Sequence, residues 1–234
     1  MTLSVPEFAK HFDMALHRQD SLESEIRAHA QAARDAGVAA CYTNSYWTPV
    51  VAEVLAGSDV RVGTAISFPY GATSTAMKFA EIEEGLELGA TAVDMVLNIG
   101  ELRAGNHDFV RREVEGLVER TQGKALSKLI FEVCFLTDEE IATLTRICSD
   151  AGVDYVKTAT GSEGFPTEAQ VKVMKDNITN DKTLLKVSGV PRTFALPAAL
   201  WLIERYDVKL IGTRSAAKLV AQYAAEVAGE NQEA

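Results

Sequence analysis

The chain has 234 residues, 47% hydrophobic and 24% charged, with 23 Lys+Arg against 33 Asp+Glu and a formal net charge of −10. This composition excludes a disordered, collagen-like or disulfide-framework protein and fits one globular domain. The acidic balance also argues against a nucleic-acid partner, whose phosphates the chain would repel. No apolar run approaches the roughly 20 residues of a membrane span. The opening Met1-Thr2-Leu3-Ser4-Val5-Pro6 has no basic or apolar leader pattern, which predicts no signal peptide. Cys41, Cys134 and Cys148 lack CxxC spacing and read as reduced thiols in the cytoplasm.

Eight β-rich runs alternate with longer helical stretches. The runs span residues 12–16, 38–42, 60–67, 92–98, 128–135, 153–158, 183–187 and 208–212. Their centres lie roughly 24–37 residues apart, the pitch of a βα unit. Several are almost continuously apolar, as expected of parallel strands buried on both faces. Between them, residues 76–88 read as a helix closed by Gly89. Thr137 and Glu140 have capping-box spacing and open a helix to about residue 150, stopping near Gly152. A helix over 194–206 would carry Pro197 in its first turn. Eight such units predict a single (β/α)8 TIM barrel over residues 1–234, with 225–234 a flexible tail. The competing fold, a doubly wound open sheet, would normally show a glycine-rich fingerprint that is absent here.

In such a barrel the chemistry sits at the C-terminal ends of the strands. Among the ionisable residues of the predicted strands, three stand out: Asp94 in AVDMVLN, Lys157 in VDYVKT and Lys186 in TLLKVSG. Lysine is rarely buried without a partner. Lys157 and Lys186 lie on consecutive units, so adjacent parallel strands would set them side by side. A lysine amine attacks carbonyls only when neutral, and a second cation nearby lowers its pKa. An aspartate between them can hold the second lysine charged and carry protons. Two lysines and one acid therefore point to imine–enamine chemistry at a carbonyl.

The surrounding residues sharpen this. Asp94-Met95-Val96-Leu97-Asn98-Ile99-Gly100 with Gly105, Val156-Lys157-Thr158-Ala159-Thr160-Gly161, Lys186-Val187-Ser188-Gly189 with Arg192-Thr193, and Ile211-Gly212-Thr213-Arg214-Ser215 stand in order along the chain. They resemble the DMVxNIG…G, VKTSTG, KASGGIRT and IGTSSG motifs of the deoxyribose-phosphate aldolase family. The stretch Gly63–Gly71 resembles its FPxG turn. The resemblance covers about residues 13–219. It implies a metal-free, cofactor-free class I aldolase on a (β/α)8 barrel, joining acetaldehyde to glyceraldehyde 3-phosphate and running the reverse cleavage. Carried over by motif, Lys157 would be the imine lysine, Lys186 its pKa-lowering neighbour and Asp94 the proton-relay acid. Small aldehydes and sugar phosphates would be the only ligands, and a homo-oligomer, dimer or tetramer, is allowed.

The chain departs from the family pattern in places. The family's first strand reads IDHTLL; here Ala15 stands for the threonine. In the phosphate loop, Val190 and Pro191 replace positions that bring bare backbone to the substrate, and Pro191 has no N–H to give. The remaining phosphate donors would be amides near Gly161, Gly189 and Gly212, together with Ser215 and the Arg214 guanidinium. The helix start over 213–216 adds its own anion preference. Glu163 brings an acid near this loop with no assigned part. Tyr223 falls in a helical pattern and is expected to pack. His11, His17, His29 and His107 are all expected at the surface. The alternatives are an aldolase of the same family with a different acceptor aldehyde, and a non-catalytic barrel that binds sugar phosphates.

Overall fold

The computed structural model describes residues 3–191 and 193–233. Among these residues, eight parallel strands close into a barrel in chain order. They are β1 (Phe12–Leu16), β2 (Ala40–Asn44), β3 (Arg61–Ile66), β4 (Ala92–Val96), β5 (Leu126–Ile130), β6 (Tyr155–Lys157), β7 (Leu184–Val187) and β8 (Leu210–Gly212). β8 returns to β1 through the pairs Phe12↔Ile211 and Asp13↔Gly212. Helices wrap the outside: α1 (Val5–Ala9), α2 (Glu23–Ala36), α3 (Thr48–Leu55), α4 (Thr75–Glu87), α5 (Ile99–Arg103), α6 (His107–Thr121), α7 (Asp138–Ala151), α8 (Glu168–Asp176), α9 (Leu196–Tyr206) and α10 (Ala216–Glu233). Among the described residues no helix is long and apolar enough to cross a membrane.

Strand side chains alternate between two cores. Met14, Cys41, Val62, Val93, Leu129, Val156, Leu185 and Ile211 face outward and pack with helix residues such as Ile26, Ala33 and Ile141 into one apolar shell. The inward set is smaller and different. Ala40, Tyr42 and Ala92 cluster with Ala15 and Leu126. The same inward parity carries Asp13, Asp94, Lys128, Lys157 and Lys186. Apolar burial between sheet and helices therefore stabilises the fold, while the barrel axis is left for polar chemistry.

Local signals explain most element ends. Thr137 N–H donates to Glu140 Oε2 at 2.7 Å and Glu140 N–H donates back to Thr137 Oγ1 at 3.2 Å, the capping box of α7, which Gly152 closes. Asn98 does not extend β4. Its Oδ1 accepts Glu101 N–H and starts α5.

The structure corrects two expectations. β5 begins at Leu126 and ends at Ile130, because Glu132 adopts a left-handed conformation (φ 54°) and residues 133–135 form a 3₁₀ turn. The histidines are not all at the surface. His107 is exposed, but His29 is buried on α2, and burial lowers its pKa to about 4. His17 and His11 are half-buried at β1. Tyr223 packs as expected, stacked on Phe8 at 4.2 Å with its hydroxyl donating to the Leu3 carbonyl at 2.7 Å.

Candidate active site

The register sets Lys157 directly opposite Lys186 on neighbouring strands and Asp94 opposite Lys128. Inside the barrel these groups join into a chain of alternating charge. Lys157 Nζ donates to Asp94 Oδ2 at 2.7 Å, and Lys186 Nζ lies 2.7 Å from the same oxygen. Lys186 Nζ is also 2.7 Å from Asp13 Oδ2, which Lys128 Nζ meets at 2.6 Å. The order is Lys157, Asp94, Lys186, Asp13, Lys128. Three cations share two anions, so with every group ionised one positive charge is in excess.

Position along this chain decides each protonation state. Burial would raise the Asp94 carboxyl, but the charges of Lys157, Lys186 and Lys128 outweigh it and hold the group well below the usual carboxylate range. Asp13 is likewise lowered, burial being overcome by Lys128 and Lys186. Lys186 stands between two carboxylates; burial opposes its charge, yet Asp13 and Asp94 raise its pKa. The end lysines have one carboxylate each. Burial lowers both, and Lys157 falls from 10.5 to about 8 with Lys186 pushing the same way against Asp94. The excess proton therefore leaves from an end. Exposure separates the two ends: the Lys157 side chain is 7% exposed and the Lys128 side chain 1%, so Lys157 is the amine an incoming carbonyl can reach.

Tyr42 lies against this network. Its ring centroid is 4.4 Å from Lys186 Nζ, 5.0 Å from Lys128 Nζ and 6.0 Å from Lys157 Nζ, within cation–π range. The ring fits because its partner on β3 is Gly63, where a Cβ would sit 2.5 Å from the ring carbons. Burial, with the Asp94 and Asp13 charges, keeps the Tyr42 phenol protonated. Among the described residues no group of three or more His, Cys, Asp or Glu is placed to hold a metal ion.

Comparison with known proteins now bears on this geometry. A family model described as DeoC/LacD family aldolase matches residues 10–200. The chain belongs to this aldolase family. The deoxyribose-phosphate aldolase of Clostridium tetani is 35% identical over 217 residues, 92% of this chain and 99% of the relative. That of Geobacillus sp. is 40% identical over 171 residues, 73% and 77% of the two chains. The tetrameric deoxyribose phosphate aldolase of Aeropyrum pernix superposes with a TM-score of 0.84 at 25% identity, covering 94% of this chain and 92% of that one.

Around the aldolase barrel's mouth the expected phosphate donors are only partly brought together. Gly161 and Gly189 touch, and both have positive φ (87° and 75°). A Cβ on Gly189 would lie 2.9 Å from Ala159 Cβ and 3.2 Å from the Gly164 carbonyl, so only glycine lets these two loops meet. Gly212 packs on Ser188 and the Lys186 stem, where a Cβ would be 2.8 Å and 3.5 Å away. The Ser215 amide already donates to Thr213 Oγ1 at 3.2 Å, beside the start of α10. Arg214 is exposed, and its charge acts on His29 of α2. Arg192, the motif's arginine, lies outside the described residues. Glu163 is exposed, and its charge is one of the influences on Glu132.

Sequence reasoning gave no part in the site to four residues here. Lys128 lies 29 residues before Lys157, the same spacing that separates Lys157 from Lys186, so the repeat was there to read. Asp13 is the second inward acid. Glu132, buried at the end of β5, accepts the Thr160 N–H at 3.1 Å and the Thr160 hydroxyl, fixing the loop that follows Lys157. His17 completes the set at the mouth.

Proposed function

We propose that the chain is a deoxyribose-phosphate aldolase, cleaving 2-deoxy-D-ribose 5-phosphate reversibly to acetaldehyde and D-glyceraldehyde 3-phosphate through an imine on Lys157. The observation that carries this reading is the buried charge chain in which Lys157 and Lys186 each lie 2.7 Å from Asp94 Oδ2, burial lowering the Lys157 pKa to about 8 while two carboxylates raise that of Lys186. The neutral Lys157 amine adds to C1 of the open-chain sugar, and loss of water gives the protonated imine. Asp94 rests as the carboxylate between the two lysines and takes up a proton only transiently, relaying it from one to the other as the carbinolamine forms and dehydrates. The C2–C3 bond then breaks. Its electron pair moves into the imine to give an enamine, and the C3 hydroxyl gives up its proton as it becomes the aldehyde of glyceraldehyde 3-phosphate. Protonation of the enamine carbon and hydrolysis release acetaldehyde and the free amine.

The 5-phosphate is assigned to the meeting loops of Gly161 and Gly189, the Gly212 strand end, and the Arg214–Ser215 start of α10. Val190, Pro191 and the exposed Arg214 favour a second reading, an aldolase of the same family whose acceptor is not phosphorylated. The free thiols, one of them the exposed Cys134, support a cytoplasmic location, and the tetrameric Aeropyrum relative supports a homo-oligomer. The test is acetaldehyde release from 2-deoxyribose 5-phosphate and from 2-deoxyribose. Faster release from the phosphate ester is expected. Equal rates select the second reading, and no release from either refutes both.

A further inference from the structure

The inward face of β1 carries Asp13, then Ala15, and just past the strand end His17. The imidazole stacks on Phe68, with ring centroids 4.4 Å apart. Its Nδ1 lies 3.3 Å from Asn44 Oδ1 on β2. The Asn44 amide nitrogen donates to the Arg18 carbonyl at 3.4 Å, so the oxygen is the atom turned to the ring. Nδ1 therefore carries the hydrogen, and the lone pair of Nε2 is left over. Among the described residues Nε2 has no protein partner. Burial first, then the Lys157 charge, lower the His17 pKa to about 3, so the ring is a neutral acceptor at physiological pH. The ring stands at the C-terminal end of β1, the same end of the barrel at which Lys157 closes β6, and the charges of Lys157, Asp94 and Lys186 act on it.

A neutral nitrogen with one lone pair selects its ligand chemically. A phosphate or carboxylate has no hydrogen to donate to it. A cationic ligand would be repelled by neighbouring Lys157. A hydroxyl satisfies both conditions. We propose that His17 Nε2 accepts a hydrogen bond from the hydroxyl on the carbon next to the acceptor carbonyl, and so selects 2-hydroxyaldehydes over unsubstituted aldehydes. This rests on the aldolase reading and adds a specificity-determining residue to it.

The experiment is condensation of acetaldehyde with lactaldehyde and with propanal, which differ by that hydroxyl, read as the ratio of the two kcat/KM values. His17→Phe keeps a ring over Phe68 but has no acceptor. It should lower the lactaldehyde-to-propanal ratio about three- to tenfold, the effect of one neutral hydrogen bond, with the larger loss falling on lactaldehyde. His17→Gln keeps an acceptor oxygen and should retain most of the preference. An unchanged ratio in His17→Phe, or equal losses on both aldehydes, would overturn the proposal. So would a Gln variant as indifferent as the Phe variant, which would assign the effect to the ring alone. Wild-type protein that condenses acetaldehyde with neither aldehyde would instead sink the aldolase reading itself.

Discussion

Replacing Lys186 by leucine removes the central cation and leaves each carboxylate one partner, Asp94 with Lys157 and Asp13 with Lys128. Lys157 then loses a like charge and gains sole possession of Asp94. Both changes favour its protonated form, so its pKa should climb from about 8 toward the ordinary 10.5. At pH 7.5 a lysine of pKa 8 is about one quarter neutral, whereas one of pKa 10.5 is neutral in about one molecule per thousand. Full restoration would therefore slow imine formation roughly two-hundredfold at that pH, and the rate should recover as pH rises toward 10. The assay is the initial rate of reductive trapping of acetaldehyde between pH 6 and 10.5. A variant whose rate falls but whose midpoint stays near pH 8 would show that burial, not Lys186, sets the Lys157 pKa.

The other predictions probe separate parts of the site. Arg214→Ala should raise KM for 2-deoxyribose 5-phosphate by less than about tenfold, because an exposed guanidinium is screened, and should leave 2-deoxyribose unaffected; equal changes on both substrates would remove Arg214 from the phosphate site. Gly63→Ala puts a Cβ 2.5 Å from the Tyr42 ring, and urea unfolding should show a loss of about 1–3 kcal/mol from forced repacking. His29 is buried neutral with its pKa lowered from 6.5 to about 4, so the unfolded chain takes up a proton first and stability should decline as pH falls through that window. Thermal unfolding of His29→Leu should show a shallower decline over the same range, and an identical pH dependence would place the effect elsewhere.

The strand pitch alone carried the barrel, because each βα unit must return to the same face of the sheet. The motif residues Asp94, Lys157 and Lys186 were legible because a charge within an apolar strand stands out. Lys128 was passed over for a geometric reason. In a strand over 128–135 Lys128 would be the first residue, at the edge of the run. The strand starts at Leu126, which puts Lys128 mid-strand and inward. Glu132 was hidden in the same run, and nothing local announces the left-handed turn that Thr160 helps to hold. His17 lies one residue past β1, and only Asn44 on β2 and Phe68 after β3 reveal that it faces the mouth. Arg214 shows the reverse case. Its motif position suggested a phosphate ligand, while the structure leaves it exposed near α2.

The central claim is that the amine at the accessible end of the charge chain is the nucleophile. Incubating the full chain with acetaldehyde and borohydride, then mapping peptides by mass spectrometry, tests it directly. The account predicts one reduced ethyl adduct, on Lys157. An adduct on Lys186 or Lys128, or none at all, would contradict it.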